Sequence, residues 1–215
     1  MQKSLYSLIL SDNVVEAVDR LAHSMQTNRS NMVNQILAEY VSYVTPEKRM
    51  QQIFSVLEQT LSHLDAFQIP AQPSASVFQA RSALAYKYNP SVQYNVELYR
   101  QPGSSIGELR VSMRTQNSTL RLYVLQFFKL WCRLESSYRV GADCAVEDGK
   151  FYKMLQAPQD KQPTAQNWAD AISDYVGAFD AAMKAFFYQI DNPAKAAEKV
   201  EQIYRSYLQN SSMPF

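Results

Sequence analysis

The chain has 215 residues, 47% hydrophobic and 19% charged, a formal net charge of +1 and two cysteines. That length holds one large domain or a small domain joined to a medium one. Cys132 and Cys144 make neither a disulfide framework nor a metal motif, so ordinary reduced thiols in a cytoplasmic protein are expected. No basic leader with an apolar core opens the chain, and the most apolar run, 120–134, is broken by Arg121, Lys129 and Arg133. It falls short of the roughly 20 apolar residues that span a bilayer, so a soluble protein without a membrane partner is expected.

The N-terminal stretch "KSLYSLILSD" places Leu5, Tyr6, Leu8, Ile9 and Leu10 in a run that predicts a short strand, apolar on both faces. A strand at a terminus without a hairpin partner needs another chain to pair with. Ser11 and Asp12 then cap a helix carrying Val15, Val18, Leu21, Ala22 and Met25. Asn28 caps a second, with Met32, Val33, Ile36, Leu37, Tyr40, Val41 and Val44 at helical spacing. Thr45 and Pro46 open a connecting helix with Met50, Ile53, Leu57, Leu61 and Leu64 on one face. The prolines of "QIPAQPSAS" end it in a linker.

Beyond the linker, residues 92–114 alternate apolar and polar on either side of "QPGSS", which predicts an antiparallel hairpin. A very apolar helix follows from Thr119. Residues 142–163 are ambiguous, with Asp148-Gly149 a candidate tight turn, and two amphipathic helices, 164–189 and 194–209, finish the chain.

The segment "LSDNVVEAVDRLAHSMQTNRSNMVNQILAEYV" resembles the ribbon-helix-helix family, the Arc, MetJ and CopG type of DNA-binding proteins. The likeness covers strand end, acidic cap, first helix, tight turn, and a capped second helix with Arg29-Ser30 in its first turn. Gln26 stands where that family often has glycine. The resemblance implies an intertwined homodimer whose two-stranded ribbon lies in the DNA major groove. By position it puts Tyr6, Leu8 and Leu10 on the core face, and Leu5, Ser7 and Ile9 on the reading face with Lys3 beside them. Asn28, Arg29 and Ser30 then form a phosphate clamp at a helix N-terminus. Leu5 and Ile9 are apolar where the family offers polar or basic side chains, and so are suited only to contacts such as a thymine methyl.

Charge points elsewhere. Residues 1–45 hold three basic and four acidic side chains (−1) and residues 46–70 two and three (−1). Residues 71–141 hold nine and three (+6), and residues 142–215 seven and ten (−3). Within the basic segment Arg100, Arg110, Arg114 and Arg121 form a candidate second anion patch, although Glu97 and Glu108 can pair with them on an ordinary solvated sheet face. No metal spacing, glycine-rich phosphate loop or nucleophile motif is present, so neither cofactor nor catalytic residues are expected.

The expected architecture is α+β and mostly helical: a ribbon-helix-helix module at 1–45, a connecting helix at 46–70, and an α+β domain with a hairpin and several helices at 71–215 that senses a ligand or oligomerises. The expected function is a bacterial transcriptional repressor that binds double-stranded DNA as a homodimer and is not an enzyme. The alternative is a non-catalytic interaction or assembly protein of a plasmid, phage or defence system that uses the module mainly to dimerise.

Overall fold

The computed structural model describes residues 7–41, 43–101, 103–139, 141, 143–156 and 163–215. The chain divides into two compact units, Met1–Arg49 and Met50–Phe215.

In the first unit, α1 (Asp12–Ser24) and α2 (Arg29–Tyr40) are joined by a tight turn. Gln26 holds φ +50° there, a left-handed conformation that costs a residue with a Cβ more than glycine. The Asn28 side chain accepts from the Asn31 amide at 2.9 Å and caps α2 as its sequence position predicts. Val18, Ala22 and Met32 form the unit's small core, with Val33 packed against them.

The expected N-terminal ribbon is corrected here. Residues 7–11 form no strand, Ile9 is fully exposed, and Leu8 and Leu10 are exposed beside it. A strand is defined by its paired backbone, and within a single chain this segment meets no strand to pair with. The N-terminal unit is helical, and every strand among the described residues belongs to the central sheet of the second unit. Lys3 and Leu5 lie outside the described residues.

The helix expected as a connector, α3 (Pro46–Ser62), is capped by Thr45, whose Oγ1 accepts from the Lys48 amide at 3.2 Å. Its apolar stripe is not a free sticky face. Met50, Ile53, Leu57 and Leu61 are buried in the second unit's core.

That unit is built on a six-stranded antiparallel sheet of β1 (Phe67–Gln68), β2 (Val77–Ala83), β3 (Ser91–Leu98), β4 (Ser105–Met113), β5 (Cys144–Glu147) and β6 (Lys150–Gln156). The strand order is β1-β2-β3-β4-β6-β5. The predicted hairpin is β3–β4, in register from Val92↔Met113 to Leu98↔Gly107. Asp148 and Gly149, at φ +49° and +72°, make the two-residue turn between β5 and β6, where Asp-Gly fits the left-handed conformation both positions need.

Cross-strand registry separates the sheet's faces. Ala80, Tyr94, Val111 and Phe151 share a buried row, whereas Gln79, Asn95, Arg110 and Tyr152 share the half-exposed row beside it. Against the buried face pack α4 (Ser118–Tyr138) and α5 (Ala165–Tyr188), and α6 (Pro193–Asn210) lies on α5. The Phe179 ring of α5 sits between Phe151 of β6 (4.9 Å), Trp131 (5.1 Å) and Phe127 (5.2 Å) of α4. The two final helices start where their signals stand: Thr164 and Asn167 make a reciprocal capping box, and Asn192 caps α6 ahead of Pro193.

Candidate functional site

Each residue expected to touch DNA starts from a different position. Ser7 and Ile9 are exposed on the extended segment before α1. Asn28 spends its side chain on the helix cap. Arg29 faces α1, where its Nε and Nη2 donate to Asp19 Oδ1 and Oδ2 at 2.6 and 2.5 Å, a two-pronged pair that holds the Asp19 carboxyl below its ordinary range. Ser30 is exposed in the first turn of α2. The amides of Arg29 and Ser30 carry no hydrogen bond among the described residues, as expected at a helix N-terminus. The fold thus brings Asn28, Arg29 and Ser30 together at one helix end, with the arginine already engaged.

The arginines of the basic segment do not form one patch. Arg100 follows the end of β3 that meets Gly107, while Arg114 follows the opposite end of the hairpin, where Val92 meets Met113. At a rise of about 3.4 Å per residue the two ends of β4 lie roughly 27 Å apart. Arg121 is exposed in the first turns of α4. Arg110, midway along β4 beside Asn95, gives Nη2 to Glu108 Oε1 at 2.7 Å and lies over the Tyr152 ring at 5.3 Å. Glu97 and Glu108 stand directly opposite each other, an arrangement of like charges that repels, and Arg110 offsets the charge of Glu108. Burial, together with Glu108 and Glu97, pushes the nearby Tyr99 phenol up. The pairing of Glu108 with this face is the solvated-sheet arrangement.

The densest polar cluster has no precedent among the expected sites. Glu135 of α4 is completely buried, and its Oε2 accepts from Lys153 Nζ of β6 at 2.6 Å. Its Oε1 accepts from Trp131 Nε1 at 2.9 Å and from the Tyr175 hydroxyl of α5. Burial first, and then the Glu135 charge, push the Tyr175 phenol far up. A second buried pair joins Tyr94 to Asp180 (2.9 Å), whose other oxygen takes Lys184 at 2.7 Å. One signal for the first cluster was present in the sequence: in "FYKML", Lys153 stands at the inward position between Phe151 and Leu155. A lysine on a buried face requires a paired anion.

No family model, curated protein or solved structure matches the chain. The site therefore rests on geometry alone. Both oxygens of Glu135 are satisfied by residues of three different elements, which fits a clamp of α4, α5 and β6 more closely than a group poised for proton transfer. No group of three or more His, Cys, Asp or Glu side chains among the described residues is arranged to hold a metal ion. No helix among them is long and apolar enough to cross a membrane.

Proposed function

We propose that the protein is a DNA-binding transcriptional regulator of the cytoplasm that works as a homodimer, with its two copies joined through their N-terminal units. One observation supports the dimer most. Leu8, Leu10, Ile36, Leu37, Tyr40 and Val41 are exposed on a unit whose own core is Val18, Ala22 and Met32. Segments of this size seldom hold a stable core without oligomerising. Apolar surface gains roughly 25 cal/mol per Å² on burial, and a two-fold arrangement lets each copy cover the other with the same residues.

Duplex DNA is the ligand suggested by the free amides at the start of α2, with Ser30 exposed beside them, and by the resemblance of the first 45 residues to a DNA-binding family. The second unit then senses a ligand or extends the oligomer. Selection of the full chain on a randomised duplex pool at moderate salt tests the reading. An enriched motif with two half-sites, bound more weakly as salt rises, is expected. Ser7→Ala with Arg29→Ala is expected to abolish DNA retention. A pool that shows no enrichment contradicts DNA recognition.

A second reading, a non-catalytic assembly protein that uses the N-terminal unit only to dimerise, is favoured by the closed Arg29–Asp19 pair and the apolar Ile9. Under it the same double variant leaves self-association untouched and there is no DNA retention to lose.

A further inference from the structure

We propose that Cys132 and Cys144 form a reversible disulfide, closed by a peroxide and opened by a dithiol. They are the two cysteines of the whole chain, and the fold brings them together from different elements: Cys132 on the flank of α4, Cys144 at the first position of β5. Strand β5 is the edge of the sheet and packs against α4. The Cys144 Sγ stands 4.0 Å from the carbonyl oxygen of Cys132 itself, so the fold sets the two cysteines side by side. Both are unbridged and half-buried, so a small oxidant reaches them.

The chemistry balances with the peroxide as oxidant. One sulfur attacks the O–O bond, becomes a sulfenic acid and releases one water. The other thiol then attacks that sulfur, the S–S bond forms, and the hydroxyl leaves with the second thiol's proton as another water. The two sulfurs give up two electrons, and the peroxide is reduced to two waters. The hydrogen bond to Cys132, followed by burial, pushes the Cys144 thiol up, and Lys153 opposes them.

Closing the bond changes what surrounds the buried ion pair. Cys144 lies directly across from Lys153 in the β5–β6 ladder, and Cys132 lies on the same helix as Glu135, three residues before it. Oxidation therefore ties the edge of the sheet to α4 beside the Glu135–Lys153 contact.

The test uses the full native chain, treated with hydrogen peroxide, alkylated with a maleimide and read by intact mass and peptide mapping. The expected product has lost two hydrogens, takes up no maleimide, yields a 132–144 cross-linked peptide, and recovers two reactive thiols after dithiothreitol. Cys144→Ser, with its far-ultraviolet dichroism unchanged, is expected to stop at a dimedone-reactive sulfenic acid on Cys132. Two thiols that still take maleimide after peroxide overturn the proposal. So does oxygen gained without a cross-link, or a disulfide found only between chains.

Discussion

Lys153 Nζ lies 2.6 Å from Glu135 Oε2, with the two side chains 3% and 0% exposed. A pair so completely removed from water is held by its geometry, because each charge has lost its hydration and depends on the other. Glu135→Ala leaves a buried ammonium, an indole N–H and a phenol without their acceptor, and is expected to cost about 3–5 kcal/mol. Lys153→Met alone leaves the carboxylate uncompensated and is also expected to destabilise. Glu135→Gln with Lys153→Met removes both charges yet keeps an oxygen for Trp131 and Tyr175, so it is expected to recover most of the loss. Urea denaturation midpoints of the three variants check this. A double variant no more stable than Glu135→Ala contradicts it.

Alkaline pH is expected to unfold the second unit. The phenols of Tyr94, Tyr175, Tyr204 and Tyr207 are all raised above the ordinary value of 10.0, with burial the first cause in each. Below that value both states keep the proton and nothing changes. Above it the unfolded chain ionises first and binds fewer protons than the folded one. Stability therefore falls as pH rises from 10 toward the folded values, by up to about 1.4 kcal/mol per pH unit for each phenol. Ultraviolet titration of tyrosinate alongside circular dichroism checks it. The buried phenols are expected to ionise together with loss of structure, and not before.

Gly107 is a glycine for lack of space. A Cβ there would lie 2.0 Å from the Glu97 carbonyl oxygen, at the point where the β4–β6 register shifts. Gly107→Ala is expected to cost about 2–3 kcal/mol or more, since neighbouring backbone has to move. Gly177, within α5, has nothing within 4 Å of its missing Cβ, and Gly177→Ala is expected to stabilise by about 0.5–1 kcal/mol. Thermal melts of both variants measure the contrast.

The Tyr204 hydroxyl is buried and has no hydrogen-bond partner among the described residues, while its ring packs edge-on to Trp131 at 5.1 Å. Tyr204→Phe keeps the ring contact and removes the orphaned hydroxyl. It is expected to raise stability by about 1 kcal/mol, read as a higher urea midpoint at unchanged slope.

Much of the second unit was legible because its local signals agree with its packing. Val92, Tyr94, Val96 and Leu98 alternate cleanly on β3, and Thr164 and Asn192 stand at true helix caps. Strand β2 was missed because its inward positions include Ala80 and Ser82, too small or too polar to mark a buried face. Strand β6 stayed ambiguous because Lys153 breaks its apolar row, and only the distant Glu135 explains the lysine. The stripe of α3 was readable, but periodicity alone does not say whether a stripe meets a core or a second helix. The opening run of Leu8, Ile9 and Leu10 has strand-like composition without a paired backbone, so its ribbon was not realised. The arginines looked clustered because they are close in sequence, whereas the hairpin spreads Arg100 and Arg114 to its two ends.

The N-terminal unit is the place to test how the protein assembles. Leu37, in the last turn of α2, and Val41, which caps it, are 53% and 68% exposed. Sedimentation equilibrium of the full chain, compared with Leu37→Lys/Val41→Lys, measures directly whether a second copy covers them. The parent is expected at twice the chain mass, and the double variant at the mass of a single chain with the second unit's melting transition unchanged. A parent that sediments as a single chain well above micromolar concentration, or a variant that stays dimeric, contradicts assembly through the N-terminal unit.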